Sequence, residues 1–162
     1  MYNNGQNYYI ITKCCVDDAI NELYQSVILD HNRHPRNKRA LNDSCICSQG
    51  YNPSCGDNIT VFARIDNGII HEITFDGEGC AISQASASLM TELMTKKSIE
   101  EAQNIINMFL EMLQSDGTIS DNQMATLGDI CALSGVKKFP MRIKCATLAW
   151  HAANDIIQQS KK

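Results

Sequence analysis

The first regular pattern of apolar residues predicts a helix after an irregular N-terminal segment. Residues 1–16 show no periodicity, so we expect a mobile tail there and a single domain over residues 17–162. From Asp17 onward apolar residues recur at helical spacing, and the pattern ends at the basic cluster before Pro35, a residue that disfavours helical geometry in its predecessor. Residues 36–54 are polar and rich in turn formers, which predicts a loop with Cys45 and Cys47 as incidental thiols.

An alternating pattern then predicts a two-stranded hairpin. Apolar residues occupy every second position from Ile59 to Ile65, and Asn67-Gly68 is a strong hairpin-turn signal. The return strand is predicted to place four side chains on one face: Ile69, His71, Ile73 and Phe75. We therefore interpret His71 as a cross-strand residue rather than a ligand, and residues 76–80 as a tight glycine turn.

Helical periodicity dominates the chain after Cys80. It predicts a helix directly after Cys80, a second helix opened by a Ser98–Glu101 capping box, a short helix over residues 124–133, a loop over 135–140 and a last helix from about Met141 to Gln158. The residues expected to face the core are Ile82, Ala85, Leu89 and Leu93, then Ala102, Ile105, Ile106, Phe109 and Leu113, and finally Ala146, Ala149, Trp150, Ala153 and Ile157. One helix, a small antiparallel sheet and several further helices predict an α+β fold.

Composition and charge narrow the class of protein. With 162 residues, 44% of them hydrophobic, the chain is long enough for one compact domain. A net charge of -4 provides no overall positive field for nucleic acid or an anionic membrane. No apolar run approaches the roughly 20 residues that span a bilayer, and no export signal is evident, so we expect a cytoplasmic protein whose eight cysteines are reduced.

Four residues from distant parts of the chain suggest a metal site. Cys55 and Asp57 lie on either side of a glycine, Cys80 precedes a predicted helix, and Cys145 lies early in the last helix. Three thiolates and one carboxylate form a tetrahedral set that suits zinc; thiolates also hold iron-sulfur clusters. Spacing alone is a weaker signal than paired Cys-x-x-Cys motifs, but all four positions are expected at one edge of the sheet.

These motifs resemble those of the iron-sulfur cluster assembly proteins of the IscU, NifU N-domain and SufU group. The similarity covers residues 20–157 and is carried by Leu23-Tyr24, residues 34–37, Pro53-Ser54-Cys55-Gly56-Asp57, residues 77–83 and the segment around Cys145. The resemblance implies an IscU-like sandwich, in which helices pack on a small antiparallel sheet. It also implies that Cys55, Asp57, Cys80 and Cys145 bind the metal or cluster.

Within this group the chain looks like the SufU branch. The interval from Cys80 to Cys145 is longer than in IscU scaffolds, and the segment from Gly117 to Phe139 resembles the SufU insertion. Residues 138–142 differ from the Leu-Pro-Pro-Val-Lys chaperone-recognition motif of the scaffolds, and Lys144 replaces the histidine before their last cysteine. We therefore do not expect an Hsp70-type chaperone partner.

Resemblance to SufU implies a tightly bound zinc ion and a SufS-type cysteine desulfurase, a PLP enzyme, as the sulfur donor, with SUF cluster-assembly machinery downstream. Persulfide transfer needs an attacking thiolate, and zinc keeps a bound cysteine deprotonated at neutral pH. We predict Cys145 as the catalytic sulfur acceptor. Arg142 and Lys144 are candidate supporting cations, and their alternative interpretation is solvated charge at a helix start.

Two other functions use the same ligands. In the first, the protein is a scaffold on which an iron-sulfur cluster is built and passed to apo-proteins, with Asp57 as the labile ligand. In the second, it is a structural zinc module, although structural sites are more often closed by four Cys or His ligands. The insertion, the altered chaperone motif and Lys144 favour the zinc-binding sulfur acceptor over both.

Overall fold

The structure is a computed structural model that describes residues 21–114 and 119–162. The predicted tail over residues 1–16, with Cys14 and Cys15, lies outside the described residues. A first helix, α1, occupies residues 21–33. The elements that follow are β1 Ile46–Asn52, β2 Asp57–Asp66, β3 Ile69–Glu78, α2 Ala81–Met94, α3 Ile99–Gln114, α4 Asp121–Leu127, a 3-10 helix Gly128–Lys138 and α5 Pro140–Ser160.

The three strands form one antiparallel sheet in the order β1-β2-β3, which confirms the predicted α+β class. Asn67 and Gly68 both have positive φ, 51° and 72°, as a tight hairpin turn between β2 and β3 requires. Strand β1 lies within the segment that was predicted to be a loop, so that prediction was wrong. Half-buried and exposed residues alternate along this edge strand, but neither set is consistently apolar, so the strand lacks a hydrophobic pattern.

The predicted face of the return strand is also corrected. The pairing between β2 and β3 shifts at Arg64 and Ile65, so that Ile65 pairs with Ile70 while Arg64 pairs with Glu72. His71 is the extra residue of this bulge, and a bulge changes which side chains face the core. As a result Ile70 is buried and His71 is exposed. The predicted glycine turn after Asp76 is wrong as well, because β3 continues to Glu78.

Helix α2 lies at the centre of the molecule and is buried on nearly all sides. Ala85 and Leu89 are buried as predicted, whereas Ile82 and Leu93 are only partly buried. The buried surface extends to small polar residues such as Ser86, which donates a hydrogen bond to the Ala146 carbonyl of α5 at 2.5 Å. Short side chains let α2 approach both α5 and β3 closely, which sets the relative positions of Cys80 and Cys145.

Helices α3 and α5 contribute to the core as predicted, with all ten of their expected core residues buried. Trp150 of α5 stacks on Phe109 of α3, with 4.0 Å between ring centroids. The Ser98–Glu101 capping box is confirmed by both of its hydrogen bonds. The predicted helical segment over 124–133 is helical, but its boundaries and type differ: Gly128 at φ 55° ends α4, and a 3-10 helix continues to Lys138 through most of the predicted loop over 135–140.

No helix in the described ranges is both long enough and apolar enough to cross a membrane.

Candidate metal site

Cys55, Asp57 and Cys145 meet at one end of the sheet. Cys55 lies in the β1–β2 loop, Asp57 is the first residue of β2, and Cys145 lies in the second turn of α5. One ligand atom from each of the three residues lies within 4.8 Å of those of the other two. Residues that are far apart in sequence therefore form a compact cluster of two thiols and a carboxylate, which includes three of the four predicted ligands.

The carboxylate of Asp57 is fully buried and held by three donors. Its Oδ1 accepts hydrogen bonds from the Cys80 N–H at 2.8 Å and the Ser83 hydroxyl at 3.2 Å. Its Oδ2 accepts one longer bond, from Asn52 Nδ2 at 3.4 Å. Since Oδ1 already has two partners, Oδ2 retains more capacity to bind a cation.

Two opposing effects act on the pKa of Asp57. Burial raises the pKa of this carboxyl, whereas hydrogen bonds lower it by more, so that the net pKa is below the usual value. The groups that lower it are the thiol of Cys145, the backbone of Cys80, the hydroxyl of Ser83 and the amide of Asn52. The carboxylate of Asp57 is therefore ionised at neutral pH.

The fourth predicted ligand, Cys80, lies beside the cluster rather than within it. Cys80 is the N-cap residue of α2, and its thiol is half-buried. It is not one of the three residues with mutually close ligand atoms. Its N–H contacts Asp57, and its thiol is close enough to contribute to the raised pKa of Cys145. Its role as the fourth ligand stays a prediction.

The sulfur of Cys145 is almost inaccessible to solvent, with 1% of the residue exposed. It donates to the Met141 carbonyl at 3.5 Å and accepts from Asn52 Nδ2 at 3.5 Å. Burial raises the pKa of this thiol, and Asp57, Cys55 and Cys80 raise it further. The surroundings therefore favour a neutral thiol until a cation balances the negative charge of the cluster.

Arg142 and Lys144 are exposed near the start of α5. The guanidinium of Arg142 lies over the ring of Phe139, 5.0 Å from its centroid. Within the described part of the chain neither cation forms an ion pair. Their supporting role stays a prediction.

The remaining described cysteines lie outside the cluster. Cys47 is exposed on β1, and Cys45 donates to the Leu41 carbonyl at 3.6 Å. Cys131 is buried, as predicted, and burial raises the pKa of its thiol. None of these three belongs to the group of mutually close ligand atoms.

Two residues that contact the cluster were not singled out from the sequence. Ser83 lies in the segment 77–83 that resembles the family, but no role was predicted for it. Its hydroxyl donates a hydrogen bond to Asp57. Asn52 contacts both Asp57 and Cys145. No sequence pattern marks Asn52, because its position depends on β1, which was predicted as a loop.

The donors in this cluster fit zinc. Two sulfurs bound tetrahedrally to zinc at about 2.3 Å lie about 3.8 Å apart, so atoms within 4.8 Å of one another need only a small contraction. Thiolate and carboxylate are both ordinary zinc ligands, and thiolates equally suit an iron-sulfur cluster. The buried and hydrogen-bonded carboxylate supplies an ionised oxygen at neutral pH.

A three-stranded sheet packed by helices, with a cluster of Cys and Asp candidate ligands at one end, is the arrangement that the resemblance to iron-sulfur cluster assembly proteins implied. The sequence matches the family described as NifU-like N terminal domain over residues 23–146, so the chain belongs to this family. The family and IscU-like fold that the sequence motifs predicted are thereby confirmed.

Two relatives are similar over most of their length. The chain is 48% identical over 133 residues to the zinc-dependent sulfurtransferase SufU of Bacillus subtilis (strain 168), covering 82% of this chain and 88% of that protein. It is 41% identical over 141 residues to the iron-sulfur cluster assembly scaffold protein IscU of Streptococcus pyogenes serotype M1. This match covers 87% of this chain and 86% of that protein. The family thus includes proteins with both of the functions that the sequence suggested.

Solved structures agree with this assignment. The crystal structure of a putative iron-sulfur cluster assembly scaffold protein for the SUF system from Fervidobacterium islandicum AW-1 has a TM-score of 0.74 and 30% identity, covering 81% of this chain and 93% of that chain. The crystal structure of a hypothetical protein at 2.3 Å resolution has a TM-score of 0.77 and 42% identity. This match covers 85% of this chain and 98% of that chain.

Proposed function

We propose that this protein is a zinc-binding sulfur acceptor that takes persulfide sulfur from a PLP-dependent cysteine desulfurase and passes it to iron-sulfur cluster assembly by the SUF machinery. The observation that carries this proposal is the cluster of Cys55, Asp57 and Cys145, with Cys80 beside it. Identity of 48% to a protein named a zinc-dependent sulfurtransferase supports it. A cytoplasmic location, where thiols stay reduced, suits this chemistry and stays a prediction.

Cys55, Asp57, Cys80 and Cys145 would hold the zinc ion, which keeps bound thiols deprotonated at neutral pH. In the transfer step, a thiolate of this chain attacks the terminal sulfur of the desulfurase persulfide. A new sulfur–sulfur bond forms on this chain while the original one breaks, and the desulfurase cysteine leaves as a thiolate. The outer sulfur changes partner without net oxidation or reduction.

Accessibility distinguishes the candidate acceptor thiols. Cys145, the acceptor predicted from the sequence, is 1% exposed, so a partner has to displace the residues that cover its sulfur. Cys55 is exposed in the β1–β2 loop and needs no such displacement. Exposure therefore favours Cys55 as the thiol that an incoming persulfide reaches first, with Cys145 as the alternative.

The proposal is tested by adding the protein to a purified PLP-dependent cysteine desulfurase and measuring sulfide release with cysteine and a reductant. We expect the wild type to stimulate the desulfurase and to contain about one zinc ion per chain, the stoichiometry of a single four-ligand site. Cys55→Ser and Cys145→Ser should both abolish stimulation, because each removes a ligand. Cys47→Ser is the matched control, since Cys47 is an exposed thiol outside the cluster, and it should behave as wild type.

Mass spectrometry of alkylated peptides then identifies the acceptor. We expect the persulfide on Cys55. A persulfide found only on Cys145 would support the acceptor predicted from the sequence instead. A wild-type protein that binds zinc but neither stimulates the desulfurase nor carries a persulfide would overturn sulfur transfer as the function.

The second candidate function is a scaffold for cluster assembly. It is favoured by 41% identity to a protein named an IscU scaffold, and by Asp57, an oxygen ligand among sulfurs that a cluster would release most readily. Iron and acid-labile sulfide in near-equal amounts, together with no stimulation of the desulfurase, would identify the scaffold.

A further inference from the structure

We propose that Asn52 is a positioning residue whose side-chain amide retains Cys145 and Asp57 in the metal site while Cys55, the acceptor favoured above by its exposure, leaves to take sulfur. This inference rests on the proposed metal-dependent sulfur transfer and adds the residue that decides which cysteine is released. Asn52 is the last residue of β1 and is 5% exposed. The side chain of Asn52 is therefore buried where β1 ends and the β1–β2 loop, which carries Cys55, begins.

One amide group links three parts of the site. Nδ2 of Asn52 donates to Asp57 Oδ2 at 3.4 Å and to Cys145 Sγ at 3.5 Å. Oδ1 accepts the N–H of Ser54 at 3.3 Å, at the base of the loop that carries Cys55. A primary amide has two N–H hydrogens and one carbonyl, so each group has a partner here. Asn52 thus joins β2, α5 and the β1–β2 loop.

The chemistry of these contacts suits charged ligands. A hydrogen bond to an anionic oxygen or sulfur favours the ionised form of the ligand and fixes its orientation. Both donors of Asn52 point to groups that would be anionic when a metal is bound. Aspartate at this position would have no hydrogens for either partner, and alanine would leave both without a donor.

The same contacts leave Cys55 comparatively unrestrained. Asn52 holds the backbone of the β1–β2 loop. Its backbone carbonyl accepts the N–H of Cys55 at 3.3 Å, and its side-chain Oδ1 accepts the N–H of Ser54. The side chain of Asn52 makes no hydrogen bond to the Cys55 thiol, and Cys55 is exposed. Two ligands are therefore fixed by the amide, whereas the third can turn outward without breaking any contact to Asn52.

The test uses the full-length protein purified with zinc, the variants Asn52→Ala and Asn52→Ser, and the control Asn154→Ala. Serine keeps a single hydroxyl donor, so Asn52→Ser should lie between wild type and Asn52→Ala. Asn154 is on α5, and among the described residues its side chain hydrogen-bonds only to Gln103, accepting from Nε2 at 3.0 Å. Its substitution should leave the metal site unchanged, and circular dichroism confirms that each variant is folded.

Two readouts report on the site directly. Loss of a residue that hydrogen-bonds to metal ligands typically costs about 10–100-fold in metal affinity, and we expect this loss for Asn52→Ala in competition with a chromophoric zinc chelator. In the cobalt-substituted protein, the thiolate-to-cobalt absorption band should shift, because the Cys145 sulfur loses a donor. An unchanged band, or zinc retention equal to wild type, overturns the proposal.

Peptide mapping after incubation with the desulfurase provides the third readout. Wild type should carry the persulfide on Cys55, whereas Asn52→Ala should also carry it on Cys145, since that sulfur is no longer retained. A persulfide confined to Cys55 in both proteins overturns the retention role. If the wild type itself accepts no sulfur, the proposed function fails; if wild type and Asn52→Ala accept it identically, only the role of Asn52 fails.

Discussion

Gly79 is a position at which an added side chain would collide with the Asp57 carboxylate. A Cβ atom at Gly79 would overlap Ser83 Oγ and lie 2.6 Å from Asp57 Oδ1, far closer than van der Waals contact allows. Both residues are buried and hydrogen-bonded to each other, so neither side chain withdraws without disturbing this contact. The absence of a side chain at Gly79 therefore allows the carboxylate to reach the N–H of Cys80.

We predict that Gly79→Ala displaces Asp57, weakens zinc binding and lowers the free energy of unfolding by about 1–3 kcal/mol, the usual cost of overpacking a buried site. Gly135→Ala is the control, because an added Cβ there meets nothing within 4 Å. Its free energy of unfolding should stay within about 0.5 kcal/mol of wild type. Denaturant unfolding and zinc analysis measure both effects, and wild-type zinc content in Gly79→Ala would contradict the prediction.

At the scale of elements, α2 holds the end of α1 through hydroxyl groups. His31 of α1 is 4% exposed, and its Nδ1 lies 2.7 Å from Ser88 Oγ. The same hydroxyl accepts the N–H of Arg36 at 2.8 Å, and Asn37 donates to Thr91 at 3.1 Å. The helix that carries Cys80 at its N-terminus thus also determines where α1 ends.

This contact predicts a pH dependence of stability. Burial, followed by the positive charge of Arg36, lowers the pKa of His31 below 6.5, although Glu92, Asp30 and Asp129 act in the opposite direction. The unfolded chain therefore binds a proton more readily than the folded protein. The contribution of His31 to stability is fully present above about pH 6.5 and is lost as the pH falls through the lower folded pKa.

The measurement is the urea midpoint of unfolding between about pH 7.5 and about pH 5, the range that brackets the usual histidine pKa. His31→Gln should show a smaller fall of the midpoint on acidification than wild type, whatever its stability at neutral pH. His71→Gln, at the exposed bulge of β3, should keep the wild-type slope. Equal slopes in wild type and His31→Gln would rule out His31 as the source.

At the scale of the whole molecule, the candidate site connects segments that secondary structure alone does not join. Its ligand atoms come from the β1–β2 loop, the start of β2 and α5, with Cys80 at the junction of β3 and α2. A metal ion bound by all of them would restrain the sheet and the two central helices together. Such an ion stabilises the folded state by mass action, because the unfolded chain lacks the assembled site.

We therefore predict that removing zinc with a chelator lowers the thermal unfolding midpoint of the wild type. A ligand present at 100 times its Kd contributes about 2.7 kcal/mol, which for a chain of this size corresponds to about 5–10 °C. Cys55→Ser should unfold at nearly the same temperature with and without chelator, because one ligand is already missing. Differential scanning calorimetry measures both midpoints. An equal midpoint for the wild type in both conditions would contradict a metal-stabilised fold.

Patterns that depend on neighbours in sequence were predicted accurately. The hairpin turn at Asn67-Gly68, the capping box at Ser98 and the buried faces of α3 and α5 follow from local backbone preference and helical spacing. The candidate ligands were identified for a related reason, because only a few side-chain types bind zinc or iron and sulfur. The family motifs around Cys55 and Cys80 then placed the chain in its family.

Properties that depend on contacts between distant residues were decided only by the tertiary structure. Strand β1 has no hydrophobic alternation of its own, and it forms because β2 pairs with one edge while α5 covers its face. The bulge at His71 follows from the register between β2 and β3. The burial of Cys145, the exposure of Cys55 and the contacts of Asn52 with both Asp57 and Cys145 arise because folding brings β1, β2 and α5 together. The sequence by itself therefore determined which side chains are candidate metal ligands, while packing decided how each of them is held and how far each thiol is exposed.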